Sequence, residues 1–337
     1  MRLIQEGKAV VFVESSDNIS KKLAVFYNPV MKLNRDLSII LLDSLTKNHL
    51  NVGLPLAGSG IRGIRFLKEL PRRKIKSVSF NDYKEGFIEM MKKNLVENRL
   101  INDKRVLLFN QDANEFLMQS KGFDYIDIDP FGTPNPFLDS AVKRLSRNSI
   151  LAVTATDTSA LCGTHQKACV RKYWAKPLHN ELKHEIGLRI LIRKAQLVGA
   201  QYDKALVPVL SFSVDHYFRV FFSCTKGKEA ADKILEQHGF FKDSGPMWLG
   251  NLGDKKLVSK MLKKADGKAL KLLEIINEEL RIGTVGFYDT HKLGKRIPVR
   301  DELIARIRRK GFKAGRTHFN PVGIKSDIPK EELLKII

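Results

Sequence analysis

Val52-Gly53-Leu54-Pro55-Leu56-Ala57-Gly58-Ser59-Gly60-Ile61-Arg62-Gly63 is the stretch on which the fold turns. A short apolar β run, Val52–Ala57, leads into a turn spelled G-x-G-x-x-G, and helix-like spacing begins at Ile61. Glycines at such a turn let the backbone approach a ligand, which makes Gly58 and Gly60 candidate cofactor-binding residues. Twenty-two residues past Gly60, Asp82 stands at the end of the next β run, where a carboxylate accepts hydrogen bonds from a ribose diol. Dinucleotide enzymes and S-adenosylmethionine enzymes share this arrangement, and a tight turn without a ligand is the plain alternative.

Working outward, the spacing predicts further β runs at Ile75–Asn81, Arg105–Gln111, Phe123–Ile128 and Ser149–Thr156. Amphipathic stretches separate them, at Ile61–Leu70, Tyr83–Leu100, Ala113–Gln119 and Asn135–Ser146. Strands alternating with helices predict an α/β fold, a Rossmann-like parallel sheet with helices on both faces. A long helix is expected around His184–Val198, then two apolar runs, Ala205–Ser213 and Tyr217–Cys224, close enough to form an antiparallel hairpin at the sheet's end.

The third β run also ends in an acid, Asp112, followed by Ala113. There a carboxylate can meet an adenine amino group or cap the helix that follows. Successive acids after the second and third strands favour S-adenosylmethionine over a nicotinamide cofactor. The fourth run ends in Asp127-Ile128-Asp129-Pro130-Phe131-Gly132-Thr133-Pro134. Alternation puts Asp127 and Asp129 on one face, and Pro130 stops the strand where open α/β sheets bind ligands. An exocyclic nucleobase amine is a poor nucleophile, because its lone pair is delocalised into the ring. A carboxylate at Asp129 that accepts its hydrogen bond would localise that pair and take the proton. Pro130 would add a carbonyl, and Phe131 a ring to stack on an extruded base.

Composition narrows the class. The chain has 337 residues, 43% hydrophobic, with 59 Lys and Arg against 37 Asp and Glu, a net charge of +22. That is too apolar for disorder, and the length suits about two domains. No apolar stretch reaches the roughly 18–20 residues of a membrane helix, and Met1–Lys8 lacks the apolar run of a secretory signal. A cytoplasmic protein is expected. The excess of positive charge points to a polyanion such as nucleic acid, or to a solvated Lys-rich surface. Charge density rises near Thr225-Lys226-Gly227, and residues 226–337 carry +10. We therefore expect domains at 1–225 and 226–337, the second a smaller α+β domain. It should contain helices near Ala230–His238, Lys255–Lys264, Ala269–Leu280 and Arg300–Lys310, a β-like Arg316–Phe319 and a turn-rich Asn320–Pro329. The basic run Arg306, Arg308, Arg309, Lys310, Lys313 and Arg316 surrounds Phe312, a pattern for phosphate contacts and base stacking or for a solvated helix face. Cys162, Cys169 and Cys224 are too few for a disulfide framework and read as buried structural residues, with no metal site expected.

Several motifs together resemble the tRNA guanine-26 N(2)-dimethyltransferase family. They include Val25-Phe26-Tyr27-Asn28-Pro29, Asn34-Arg35-Asp36, Gly60-Ile61-Arg62-Gly63-Ile64-Arg65 and Asp129-Pro130-Phe131-Gly132. Further matches are Thr154-Ala155-Thr156-Asp157, Asp215-His216-Tyr217-Phe218-Arg219, Gly250-Asn251-Leu252-Gly253-Asp254 and Arg316-Thr317-His318-Phe319. The likeness covers nearly the whole chain. It implies a class I methyltransferase sheet, S-adenosylmethionine as cofactor, tRNA as partner, and a tRNA-binding C-terminal domain. It also implies that Arg35 and Arg62 contact the methionine end, Asp82 the ribose, and Asp112 with Ala113 the adenine. Asp129 would be catalytic, and Phe26 with Phe131 would form the guanine pocket. An adenine or cytosine amino-methyltransferase is the alternative activity. No protein partner is implied, and a monomer suffices. Relatives carry an acid early in the first strand, where this chain has Leu54-Pro55-Leu56, and some carry a cysteine-rich zinc insertion that is missing here after Cys224.

Overall fold

The computed structural model describes residues 1–14, 27–294 and 297–337. Phe26 lies outside the described residues. The chain divides into two compact units, Met1–Ala155 with Val198–Val207 and Phe221–Ala231, and Thr156–Leu197 with Pro208–Val220 and Asp232–Ile337. These bounds differ from a division at residue 225, which was read from charge density. Packing groups residues 156–197 with the C-terminal half, and charge density carries no information about packing.

The seven-stranded sheet consists of β1 (Leu50–Leu54), β2 (Ile75–Asn81), β3 (Val106–Phe109), β4 (Phe123–Ile128), β5 (Leu145–Ala155), β6 (Lys204–Val214) and β7 (Tyr217–Lys226), in the order β3-β2-β1-β4-β5-β7-β6. Strands β1 to β5 pair in parallel, with Val52 opposite Val78 on one side and Tyr125 on the other. The central strands read as near-continuous apolar runs because both faces are covered. Val52, Val78, Phe80, Tyr125, Ile126 and Ile128 are fully buried. The order reverses between β1 and β4, which makes their carboxyl ends the switch point at which open sheets bind ligands. β6 and β7 form the expected hairpin, with Asp215 at φ 51° in its turn.

The helices of the first unit are α1 (Lys32–Ser44), α2 (Ile61–Glu69), α3 (Phe87–Glu97), α4 (Ala113–Gln119) and α5 (Asn135–Arg144). Gly60 caps α2 at φ +76°, and a Cβ there would come 2.3 Å from the Met91 sulfur. The left-handed conformation is what calls for glycine, since the end of the Met91 side chain can move. Gly63 lets α2 press on β2, since its Cβ would meet the Phe80 ring at 2.3 Å. Several boundaries differ from the sequence reading; β5, for one, begins at Leu145 in place of the expected helix end. β1 stops before Pro55, which lacks an N–H for the ladder. α3 starts at Phe87, because Gly86 turns left-handed at φ 75°. An N-terminal hairpin, Arg2–Glu6 with Ala9–Val13, was not anticipated.

In the second unit, α6 (Lys183–Ala200), α7 (Gly267–Ile282) and α8 (Arg300–Arg309) accompany a three-stranded sheet. Its strands are β8 (Ala314–Thr317), β9 (Asn320–Ser326) and the two-residue Tyr288–Asp289, with β9 in the middle. The stretch read as turn-rich is thus mostly a central strand. Leu303, Ile304, Ile307, Ala314 and Ile324 form its core, and Phe312 packs against them. Glu185, wholly buried, accepts from Lys325 Nζ at 2.9 Å through both oxygens and from Arg189 Nε at 3.0 Å. Burial would raise its pKa, but the charges of Lys325 and Arg189 outweigh that and hold it at about 2.

Candidate active site

A pocket opens at the carboxyl end of β1, and Arg35, Gly58, Arg62 and Asp129 line it together. Tyr27, Ser59 and Asp127 are among the other residues of its lining. Four of the residues singled out from sequence therefore meet in one place, brought from α1, the glycine turn, α2 and the end of β4.

Arg62 is the hub. Its Nη2 donates to Asp129 Oδ2 at 2.5 Å, and its Nη1 donates to Asn34 Oδ1 and Ser38 Oγ, both at 3.0 Å. Asp127 Oδ2 lies 3.5 Å from the same Nη1 and accepts from Tyr125 Oη at 2.5 Å. Asn34 and Ser38 are four residues apart, on one face of α1, and Asn34 Nδ2 reaches Thr154 Oγ1 at 3.3 Å. The guanidinium's fixed, planar fork holds these separated acceptors in set directions, where a lysine would offer one point charge. Asp129 keeps 21% of its side chain exposed, against 1% for Asp127. It is the acid that offers a face to a second molecule.

Arg35 is buried, and its partner is Glu6 from the N-terminal hairpin. Arg35 Nε donates to Glu6 Oε1 at 2.7 Å, and Arg35 Nη2 donates to Glu6 Oε2 at 2.5 Å and to the Asn28 carbonyl at 3.0 Å. Arg65 Nη1 and Tyr27 Oη donate to the same carboxylate at 2.7 and 2.9 Å. Burial pushes the Glu6 carboxyl up, but the bonds and charges of Arg35 and Arg65 hold it down at about 2. Burial, then the nearby Glu6 charge, pushes the Tyr27 hydroxyl up to about 12. Glu6 occupies one edge of the Arg35 fork, while Nη1 has no acceptor among the described residues.

The remaining candidates stand at neighbouring strand ends. Asp82 Oδ2 accepts from the Gly58 N–H at 2.9 Å, so this acid also shapes the glycine turn. Asp112 caps α4, accepting from the N–H groups of Asn114 and Glu115 at 2.8 and 3.3 Å, and Ala113 behind it is buried. Of its two readings the cap is present, and the exposed side of the carboxylate leaves the other open. Pro130 and Phe131 follow Asp129 directly, with Phe131 36% exposed. Asn81, not singled out from sequence, staples the three strand ends. Its Nδ2 donates to the carbonyls of Pro55 and Gln111 at 3.0 Å, and its Oδ1 accepts from the Gln111 N–H at 3.1 Å. Glu6, Asn34 and Ser38 were likewise missed as supports. Only the Glu6-Gly7-Lys8 turn ahead of the apolar run Ala9–Val13 could have pointed to the hairpin that carries Glu6.

The donor set suits a ligand with a zwitterionic amino-acid end. Cations and carboxylates alternate around the glycine turn, and Ser59 Oγ is buried there with no hydrogen-bond partner among the described residues. The cysteines lie elsewhere. Burial pushes the thiols of Cys162 and Cys169 up to about 11 and 12, which suits packing and not nucleophilic attack. In the basic run, Arg306 pairs with Glu302 and Arg316 with Glu278, each at 2.6 Å, while Arg308, Arg309 and Lys310 are exposed.

A family model described as N2,N2-dimethylguanosine tRNA methyltransferase matches residues 7–244 and 240–337. The tRNA (guanine(26)-N(2))-dimethyltransferase of Pyrococcus horikoshii is 39% identical, over 99% of this chain and 97% of its own length. The tRNA (guanine(26)-N(2)/guanine(27)-N(2))-dimethyltransferase of Aquifex aeolicus is 38% identical, over 99% of this chain and 95% of its own. The solved structure of Trm1 from Pyrococcus horikoshii with S-adenosyl-L-methionine superposes with a TM-score of 0.89, at 36% identity, covering 100% of both chains. The chain belongs to the N2,N2-dimethylguanosine tRNA methyltransferase family.

Proposed function

We infer that this chain is an S-adenosylmethionine-dependent tRNA methyltransferase, which places one and then a second methyl on the exocyclic amino group of guanine 26. The observation that carries this reading is the carboxylate of Asp129, held by Arg62 at the mouth of the glycine-turn pocket. Bound S-adenosylmethionine supplies an electrophilic methyl group on a sulfonium.

The chain's own residues do the rest. Arg35 offers Nη1 to the methionine carboxylate, as a fixed guanidinium does well. Gly58 and Gly60 let the main chain come close, Asp82 faces the ribose, and Asp112 with Ala113 the adenine. Arg62 was expected at the methionine end as well. Its fork also engages Asp129, Asn34 and Ser38, so beside that contact it aims the catalytic carboxylate. Arg62 engages Asp129 Oδ2, which leaves Oδ1 to accept a hydrogen bond from the guanine amino group. As positive charge grows on the nitrogen, Asp129 takes the proton. The Pro130 carbonyl is a second acceptor beside it, and the exposed ring of Phe131 stacks on the extruded base. After one turnover the nitrogen retains a hydrogen, so the same acceptor serves the second transfer.

A tRNA substrate supports a cytoplasmic location for the enzyme. The function is tested by methyl transfer to unmodified tRNA, followed by nucleoside digestion and mass spectrometry. Monomethylguanosine should appear first and dimethylguanosine after it, and both should vanish when guanine 26 is replaced. Methyladenosine or methylcytidine would instead establish the alternative amino-methyltransferase.

A further inference from the structure

The second unit carries two exposed aromatic rings set among cations, far in sequence from the catalytic residues. A short helix, Gln166–Tyr173, ends on Trp174, whose backbone is left-handed at φ 56°. That conformation is rare for a bulky residue. Trp174 is 52% exposed, whereas the other tryptophan, Trp248, is 3% exposed. Lys194 Nζ sits 3.0 Å from the Trp174 ring centroid. One face of the indole is therefore covered by the ammonium of Lys194, which is itself buried.

The cations around it are crowded. Arg193 Nη1 donates to the Trp174 carbonyl at 3.3 Å, and its Nε is buried with no hydrogen-bond partner among the described residues. Burial, then the neighbouring charge of Arg193, lowers the Lys194 pKa. An anion at this place would relieve both. Lys167, Arg171 and Lys176 are exposed on the same stretch.

Lys176 also ties this stretch to a hairpin, His238–Phe241 with Ser244–Trp248. Its N–H donates to the Gly245 carbonyl at 2.8 Å, and its carbonyl accepts from the Gly245 N–H at 2.9 Å. Phe240 on that hairpin is 69% exposed, and its ring lies 3.2 Å from where a Gly245 Cβ would be. Lys242 beside it is exposed too, with Asp243 the acid of the turn. Exposed rings contribute nothing to a core, and cations packed against them repel one another. Single-stranded nucleic acid satisfies both features, since phosphates take the cations and base faces take the rings.

We propose that Trp174 and Phe240, with Arg171, Lys176, Arg193 and Lys194, form a stacking platform for unpaired bases of the tRNA substrate. The proposal rests on the tRNA methyltransferase reading and adds a binding surface outside the catalytic pocket. The two tryptophans allow a direct test in the full chain. Titration with tRNA should quench the emission of the exposed Trp174, and Trp174→Phe should abolish that quenching while tRNA still binds. Trp174→Ala and Phe240→Ala should each weaken tRNA binding by roughly 5- to 150-fold, the range for removing one base stack. Affinity for S-adenosylhomocysteine should not change. If the wild type methylates tRNA but both alanine variants bind it as tightly as wild type, or quenching survives in Trp174→Phe, the platform is refuted and the enzyme reading stands. If the wild type neither binds nor methylates tRNA, the enzyme reading falls and the platform with it.

Discussion

Glu6→Gln probes the support of the cofactor end. The Glu6 carboxylate is held at about 2 against an ordinary 4.5 by burial in the company of two arginines. The folded value is depressed, so its contribution is present above pH 4.5 and is lost as pH falls toward 2. Linkage puts that contribution at about 3 kcal/mol at most, since solvent screening trims it. Glutamine keeps the shape and removes the charge, leaving Arg35 and Arg65 facing each other. Arg65 retains Asp36 and Glu69, at 2.7 and 2.8 Å, while among the described residues Arg35 keeps the Asn28 carbonyl and the face of the Tyr27 ring. For a unit of this size about 3 kcal/mol lowers the melting temperature by about 6–12 °C. Differential scanning calorimetry at pH 7 should show that drop, and it should be smaller at pH 3. Calorimetric titration should show S-adenosylhomocysteine binding weakened about tenfold or more, because the Arg35 fork has lost the carboxylate that aims it. A melting temperature within 2 °C of wild type (roughly 1 kcal/mol or less) and unaltered ligand affinity would refute the reasoning.

Three other outcomes are expected. Arg62→Lys keeps the charge but cannot reach Asp129, Asn34 and Ser38 together, so the rate of methyl transfer should fall about tenfold or more with the fold intact. Replacing Arg308, Arg309 and Lys310 by glutamine should lower the slope of log tRNA affinity against log salt by about 2, on the order of 0.7–0.9 for each phosphate no longer neutralised; an unchanged slope would place the tRNA backbone elsewhere. Cys162→Ala and Cys169→Ala should methylate within about threefold of wild type, and alkylating reagents at pH 7 should not inactivate the enzyme, because burial pushes both thiols well above that pH.

The catalytic half of the site was legible because its signals are local. Glycines at a strand-to-helix turn, an acid at the next strand end and an acid before proline each mark a position within a few residues. The supports were not legible, since they join residues distant in the chain. Glu6 reaches Arg35 and Arg65 across 29 and 59 positions, and Asn34 reaches Thr154 across 120. Periodicity also overextended α3 through Gly86, and proline and glycine disguised β9 as a turn. Phe312 looked like a stacking ring inside a basic run, yet it packs against Ile304 and its neighbours. Trp174 and Phe240 do stand exposed, but no spacing around either ring marks it as a base contact.

The central claim is that the Asp129 carboxylate, aimed by Arg62, accepts the proton of the guanine amino group. Single-turnover kinetics with tRNA and S-adenosylmethionine both saturating test it most directly, comparing wild type with Asp129→Asn. The amide keeps the hydrogen-bonding shape but is a far weaker base. Each of the two methyl transfers should slow by about 100-fold or more, with tRNA affinity held within about threefold. Rate constants within about threefold of wild type for both transfers would contradict the account.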